Sequence, residues 1–371
     1  MSVTRLWLTD FRCFTEAVFE PDPEGLTVLR GENGAGKTSV LEAVGWLATQ
    51  RSFRGAPRDV VVRGRADRAV VRAETLQGTR QQLVEAEIPR DRTGRIQVNR
   101  QPVRRRVQLA ETLRVSVFSP EDLVVVQGGP GGRREYLDDI LVARHPRDEA
   151  LVGEVERVLR QRAALLHQAG GRHVPEVLST LDVWDSRLAS AGEALAAARA
   201  ELVDALRPFV VQAHGRLAGA DAPEGNGESG GVELAYRRSW TGPLADALAD
   251  ARQDDLRRQA TSVGPHRDEL ELTLAGRPAR SQASQGEQRS VALSLRLAAH
   301  QLATEEQGVA PVLLLDDVFS ELDARRAEAL VAQLPAGQVL LTTAVDPPAV
   351  VAPDRVVDVQ GGRLVPAGGP R

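Results

Sequence analysis

The sequence predicts an α/β fold into which a long helical segment is inserted, and three observations predict it. An apolar stretch, Leu26-Thr27-Val28-Leu29, leads directly into a glycine-rich turn and then a helix-forming segment. A second apolar stretch, Val312-Leu313-Leu314-Leu315, ends in two carboxylates, Asp316 and Asp317. Between them, Leu181, Trp184, Leu188, Ala191, Leu195, Ala198 and Leu202 recur at three-four spacing, which lays one apolar stripe along a long helix.

The turn after the first strand reads Gly31-Glu32-Asn33-Gly34-Ala35-Gly36-Lys37-Thr38, followed by Ser39, and fits GxxxxGK[ST] completely. Glycines let the backbone curl until its N–H groups point at a phosphate, and the helix beginning near Lys37 adds its positive end. Thr38 can offer a hydroxyl to Mg²⁺. Lys37 is the one lysine among 47 basic residues, the rest being arginine. A compact ammonium on a flexible stem reaches between β- and γ-phosphates, where the planar guanidinium has a different shape and reach. A nucleoside triphosphate is therefore the expected ligand.

The second strand has the Walker B pattern. Asp316 at the strand end is expected to hold Mg²⁺, with Thr38, and Asp317 to orient and polarise the attacking water. Catalytic weight accordingly falls on Lys37, Asp316 and Asp317. Upstream, Ser284-Gln285-Gly286-Glu287-Gln288 precedes the apolar, alanine-rich stretch Val291 to Ala299, a polar approach to a helix N-terminus. This resembles the signature motif of the ABC-type ATPases, which acts in trans on the nucleotide of a second subunit, and the resemblance implies that the nucleotide is ATP. Ser320-Glu321-Leu322-Asp323 resembles the D-loop that crosses the same dimer interface, with Ser320 and Asp323 as its contacts. The strand Val339-Leu340-Leu341 leads to Thr342-Thr343 where transporter ATPases place a histidine, so Thr343 takes the switch position. A hydroxyl cannot act there as imidazolium does, and Asp317 is one methylene shorter than the glutamate common in ABC proteins; both fit slow hydrolysis.

Lys37 and Asp316 stand 279 positions apart, more than a compact transporter ATPase needs. The expected division is an N-terminal ATPase part over 1–130, an inserted helical arm or second lobe over 131–255, and a C-terminal ATPase part over 256–371. An earlier helical stretch passes through Leu151, Val155, Val158, Leu159 and Leu166, and Gly170-Gly171 with Pro175 separates it from the longer one. Pro208 marks a kink or an end, and Gly219 to Gly231 reads as an exposed loop.

Beyond the ATPase motifs, four local stretches resemble the RecF recombination-mediator family, an SMC-like branch of the ABC ATPases. They are Leu6-Trp7-Leu8-Thr9-Asp10-Phe11-Arg12, Phe118-Ser119-Pro120-Glu121-Asp122-Leu123, Arg133-Arg134-Glu135-Tyr136-Leu137-Asp138 and Gly264-Pro265-His266-Arg267-Asp268-Glu269. The resemblance implies an ABC-type P-loop ATPase lobe, SMC-head-like, with an inserted helical lobe and ATP-driven homodimerisation around double-stranded DNA. It also implies partnership with RecR at gaps or single-strand to double-strand junctions, helping RecA displace single-strand-binding protein, with RecO an indirect partner. His266 is expected in a structural or interface role.

Net charge is −4, which does not advertise nucleic acid, yet sixteen arginines face seven acidic residues between Arg51 and Arg114. Such segregation creates a local positive field with guanidinium forks suited to phosphate oxygens. Candidate contacts are Arg51, Arg54, Arg65, Arg68, Arg72, Arg92, Arg95, Arg104, Arg105 and Arg106. Base-specific reading is not expected. Six scattered histidines and the single Cys13 offer no thiolate cage or ligand cluster, so Mg²⁺ held with the nucleotide is the only metal expected. No apolar run approaches the roughly 20 residues of a membrane span and the N-terminus lacks a signal-peptide pattern, so a cytoplasmic chain without a membrane partner is expected. Two alternatives stay open: an ABC-type ATPase driving a different partner complex, and a non-catalytic ATP-gated scaffold.

Overall fold

Leu26–Arg30, the apolar run ahead of the glycine loop, lies inside a six-stranded sheet in the order Arg363–Pro366, Arg355–Gln360, Leu26–Arg30, Val339–Thr343, Val312–Leu315, Val115–Phe118. All pairings are parallel except that of the edge strand Arg363–Pro366. Strands covered on both faces read as continuous apolar runs, and every residue of Val312–Leu315 is buried. The computed structural model describes residues 1–103, 106–172, 175–218, 231–322, 324–344 and 351–366.

A second six-stranded sheet is antiparallel, in the order Phe14–Phe19, Ser2–Phe11, Arg68–Gln77, Arg80–Pro89, Arg95–Val98, Gln101–Pro102. Here the period is two: Leu6, Leu8, Val71, Ala73, Val84, Ala86 and Ile88 are buried while their neighbours are more exposed. The buried row shares one core with Val40, Leu41, Val44 and Leu47 of helix Lys37–Thr49 and with Leu29, Leu314 and Leu340 of the parallel sheet. The helix that follows the glycine loop is thus packed between apolar faces of two sheets. Arg12 fixes it further. Its Nε and a terminal nitrogen donate to the buried Glu42 carboxylate at 2.7 and 2.5 Å, and Ser52 Oγ donates to the same group at 2.5 Å. The other face of the parallel sheet packs Val28, Leu313, Leu315 and Leu341 against Leu293, Leu297, Ala327 and Leu330.

These elements belong to one of two compact units, Met1–Asp122 with Gln212–Glu224 and Ala292–Arg371; the other comprises Leu123–Val211 and Gly225–Val291. The second unit holds helices Pro130–Arg144, Asp148–Ala169 and Leu244–Arg258, most of Pro175–Ala218, and a three-stranded antiparallel sheet of Arg277–Pro278, Glu269–Leu274 and Val232–Arg237. Its helices close on Leu166, Ala169, Val177, Leu181 and Leu256. Beside this cluster the fully buried Arg162 donates to Asp185 and Asp255, each at 2.7 Å, and to Thr261 at 2.8 Å.

Two sequence expectations shift. Residues 256–291, placed with the ATPase part, fold with the second unit, because Glu269–Leu274 pairs along its length with Val232–Arg237. Pro208 lies inside helix Pro175–Ala218 rather than ending it. Proline lacks the N–H that would bond one turn back, but Leu206, Val210, Ala213 and Leu217 on either side are buried, and that packing carries the helix through. The expected loop over Gly219–Gly231 lies outside the described residues, apart from Gly231. Among the described residues no helix is long and apolar enough to cross a membrane.

Candidate nucleotide site

The glycine loop folds as its residue types require. Gly34 and Gly36 have φ of 82° and 113°, in the range where a side chain is strained. A Cβ on Gly36 would stand 2.5 Å from Cys13 Sγ, and one on Gly31 2.3 Å from the Val359 carbonyl oxygen. Helix Lys37–Thr49 starts at Lys37 with Gly36 at its N-cap, so the loop ends on the positive end of a helix. Lys37 Nζ donates to the carbonyls of Gly31 at 2.7 Å and Glu32 at 2.9 Å, curling back over the loop it serves. Burial pushes its pKa down, against the opposing pull of Asp317 and Asp316. Ser39 is buried behind the loop.

Parallel pairing aligns the carboxyl ends of three strands at this loop. Leu315 is in register with Leu341 and Phe118, and Leu341 with Val28. Asp316, one residue past its strand, accepts from Thr38 Oγ1 at 2.8 Å and from Thr342 Oγ1 at 2.6 Å, both at Oδ1. Burial raises the Asp316 pKa, the two hydroxyls oppose that, and Glu121 and Asp317 add to the rise. Thr342 also accepts the Asp317 N–H at 2.9 Å. Asp317 takes a left-handed backbone, φ 49° and ψ 34°, which aspartate tolerates better than most residues. Its Oδ1 is buried with no hydrogen-bond partner among the described residues. Thr343 is fully buried beside Arg30 of the neighbouring strand.

The hydroxyl of Thr38 and the carboxylates of Asp316 and Asp317 are hard oxygen donors, the first two in direct contact and one Asp317 carboxylate oxygen unsatisfied. They fit Mg²⁺ accompanied by a phosphate chain. The sequence singles out all of these except Thr342, which joins both acidic residues. Its signal is present as a hydroxyl at the end of a buried strand.

The signature segment lies in the second unit. Ser284 and Glu287 form a capping box at the start of helix Gln285–Gln307: Ser284 N donates to Glu287 Oε2 at 2.7 Å, and Glu287 N donates to Ser284 Oγ at 3.3 Å. Ser284, Gln285 and Glu287 are exposed and Gly286 half-buried. Gln288 turns inward and is buried, its amide donating to the carbonyls of Ala279 and Arg280 at 3.0 Å each. Of the D-loop pair, Ser320 Oγ donates to the Asp317 carbonyl at 3.2 Å, while Asp323 lies outside the described residues.

The arginine candidates separate into groups. Arg68 and Arg72 lie on the outward face of the antiparallel sheet, where Arg68 donates to Glu87 at 2.8 Å and Arg72 pairs with Glu85; Arg95 also reaches Glu87. Strand register sets these neutralising pairs. Arg51, Arg54, Arg65 and Arg92 are exposed on loops, and Arg54 and Arg65 have no ion pair among the described residues. Arg90 holds the neighbouring loop by donating to the carbonyls of Ala66, Asp59, Val62 and Gly64. Arg104, Arg105 and the Arg106 side chain lie outside the described residues. His266 is largely buried and its Nε2 faces the Thr261 carbonyl at 3.0 Å, a contact within the fold of its own unit.

Comparison with known proteins agrees with this geometry. The model of the RecF/RecN/SMC N-terminal domain matches residues 2–360. A protein of Beutenbergia cavernae named DNA replication and repair protein RecF is 42% identical, over 100% of this chain and 98% of its own. One of the same name from Frankia alni is 44% identical, over 100% and 98%. A solved structure of the recombination mediator protein RecF-ATPrS in the RecFOR pathway superposes with a TM-score of 0.87 at 25% identity, covering 99% of this chain and 98% of that one. With a matched domain spanning nearly the whole sequence and full-length relatives above two-fifths identity, the chain belongs to the RecF family, within the RecF, RecN and SMC group of P-loop ATPases.

Proposed function

We propose that this protein is an ATP-gated DNA-binding recombination mediator: two subunits close on ATP, grip duplex DNA at a gap or a single-strand to double-strand junction, and release it after slow hydrolysis. The observation that carries the reading is the convergence of Thr38, Asp316, Thr342 and Asp317 at the carboxyl ends of adjacent parallel strands, beside a glycine loop holding the chain's one lysine.

In the mechanism, Lys37 leaves the Gly31 and Glu32 carbonyls for the β- and γ-phosphate oxygens, exchanging two neutral acceptors for charged ones. Thr38 and Asp316, within hydrogen-bond distance of each other, would hold Mg²⁺. When bound, that ion neutralises the charge that develops on the phosphate oxygens as the phosphoryl group transfers. Asp317 aims the free Oδ1 at the attacking water, with Thr342 holding its backbone. Ser284 and the first N–H groups of helix Gln285–Gln307 serve the nucleotide of the second subunit. Closing on ATP therefore needs both copies, and hydrolysis loosens them.

DNA contact falls to the exposed loop arginines Arg54 and Arg65 more than to Arg68 and Arg72, whose charge is already paired. Recognition is of backbone and junction shape. RecR is the direct protein partner, and RecO, RecA and single-strand-binding protein act in the same process. The test is sedimentation of the purified protein with and without ATP and Mg²⁺. ATP-dependent dimerisation that Lys37→Ala abolishes and Asp317→Asn prolongs supports the reading; a Lys37→Ala protein that dimerises at full strength contradicts it.

A further inference from the structure

Three residues of the second unit have no assigned work: Arg133 and Glu269, from two separate stretches that resemble the family, and Gln127, which no motif includes. The structure joins them to the signature turn through two sets of hydrogen bonds linked by the short helix Val124–Gln127. Glu269 receives a bidentate pair from Arg133, Nε to Oε1 at 2.6 Å and a terminal nitrogen to Oε2 at 2.9 Å. The remaining terminal nitrogen of Arg133 donates to the carbonyls of Gly128 at 2.9 Å and Val125 at 3.4 Å, securing the short helix Val124–Gln127. From that helix Gln127 Nε2 donates to Gln288 Oε1 at 2.8 Å. Gln288 then donates both amide hydrogens to the carbonyls of Ala279 and Arg280, and Arg280 Nε returns to the Gln127 carbonyl at 3.1 Å.

The last three contacts close a ring around the approach to Ser284. The ring ties residues four and five positions before the serine to a residue four positions after it, so it holds the two ends of the turn together. Both Gln288 donors and its oxygen are used, and the buried Arg133 end is charge-assisted, which stiffens both sets. Gln127 is the exposed link. The Ala279 and Arg280 carbonyls fix which way the Gln288 amide faces, since flipped it would set its oxygen against two carbonyl oxygens, and this leaves Gln288 Oε1 as the acceptor for the Gln127 donor.

We infer that Gln127 is a positioning residue that, with Gln288 and the Arg133–Glu269 pair behind it, presets the signature turn for the nucleotide of a second copy of this chain. The inference rests on the two-subunit reading above. A preset turn offers the Ser284 hydroxyl and the helix N–H groups without an ordering cost at closure. Its effect is felt in trans, because the nucleotide it serves is held by the partner's glycine loop, while ATP affinity of the isolated subunit depends on Lys37 and its own loop.

The test uses full-length Gln127→Leu and Gln127→Glu. Both remove the donor, and the second keeps the shape. Each is expected to lower ATP-dependent dimerisation and turnover about three- to tenfold, as removal of one hydrogen bond does. ATP affinity of the monomer, measured with a fluorescent ATP analogue, should stay as in the parent, and the melting temperature should fall by no more than about 4 °C. Mixing Gln127→Leu with Lys37→Ala subunits should then raise turnover above the average of the two variants measured alone, since one of the two composite sites has an intact glycine loop facing an intact signature. Parent-like dimerisation and turnover of both Gln127 variants overturn this inference while leaving the dimer reading in place. An equal fall in monomer ATP affinity, or no gain on mixing, also overturns it. A parent protein that does not dimerise with ATP and Mg²⁺ removes both.

Discussion

Thr342 donates its hydroxyl to Asp316 Oδ1 at 2.6 Å and, with the same oxygen, accepts the Asp317 N–H at 2.9 Å. One side chain from the neighbouring strand therefore orients both acidic residues of the candidate nucleotide site. Thr342→Val keeps the shape and removes the hydroxyl. Hydrogen bonds to charged groups contribute about 1.5–3 kcal/mol, so turnover should fall about tenfold or more while the parallel sheet remains intact by circular dichroism. Parent-like turnover would show that Asp316 and Asp317 need no such support.

Asp316 is also an internal cost in the protein without nucleotide. Burial raises its pKa above the unfolded value, so the folded state favours the protonated form. The penalty is absent at low pH and appears as pH rises through the ordinary carboxyl range near 3.8 and the carboxyl ionises. Asp316→Asn should accordingly raise the melting temperature at pH 7 while abolishing ATP turnover. A melting temperature below the parent's would mean that the carboxylate is a net stabiliser of the fold.

His300 sits in helix Gln285–Gln307, buried, with neither ring nitrogen hydrogen-bonded among the described residues, and burial pushes its pKa down to about 4 from 6.5. The unfolded chain binds a proton that the folded chain refuses, so stability falls as pH drops from about 6.5 towards 4 and is unaffected above that window. The decrease is on the order of 3 kcal/mol. His300→Leu should flatten this part of the stability curve without lowering stability at about pH 7.5. Unchanged acid sensitivity in urea titrations would place the effect elsewhere.

Gly36→Ala introduces a Cβ 2.5 Å from Cys13 Sγ at a φ of 113°. Strain of about 1–3 kcal/mol at the N-cap of the helix after the glycine loop should weaken ATP binding about 5- to 150-fold, measured with a fluorescent analogue. Gly34→Ala, with open space around its Cβ site, carries the φ penalty alone and should do less damage.

How much of this is legible in the sequence depends on chain distance. The glycine loop and the Asp316-Asp317 pair are consecutive residues whose chemistry follows from type and order, and both stand where the apolar strands place them. The helical insertion is readable from Leu181 to Leu202 because a stripe repeats. The paired state of Arg68 and Arg72 is not, since it depends on the register that sets Arg72 opposite Glu85 across two strands. Thr342 and Gln127 escape the sequence for the same reason: their partners stand 26 and 161 positions away and meet them only through the fold. Of the two readings of Pro208, a kink or an end, the end is excluded, because burial of Val210 and Leu217 sustains the helix beyond it.

The pairing of the arginines makes the DNA surface testable residue by residue. Exchanging Arg54 and Arg65 together for alanine should reduce the slope of log affinity against log salt by about 2, one for each phosphate no longer neutralised. The Arg68→Ala and Arg72→Ala pair should reduce the slope less, because Glu85 offsets the charge of Arg72 and Glu87, shared with Arg95, offsets part of that of Arg68.

The central claim, an ATP-gated grip on duplex DNA near a gap, is tested most directly by salt-titrated binding of the full-length protein to gapped, duplex and single-stranded DNA, with and without ATP and Mg²⁺. The account predicts tightest binding to gapped DNA with ATP, an affinity that falls steeply with salt, and disappearance of the ATP effect in Lys37→Ala. Equal affinity for all three DNAs whether or not ATP is present would contradict it.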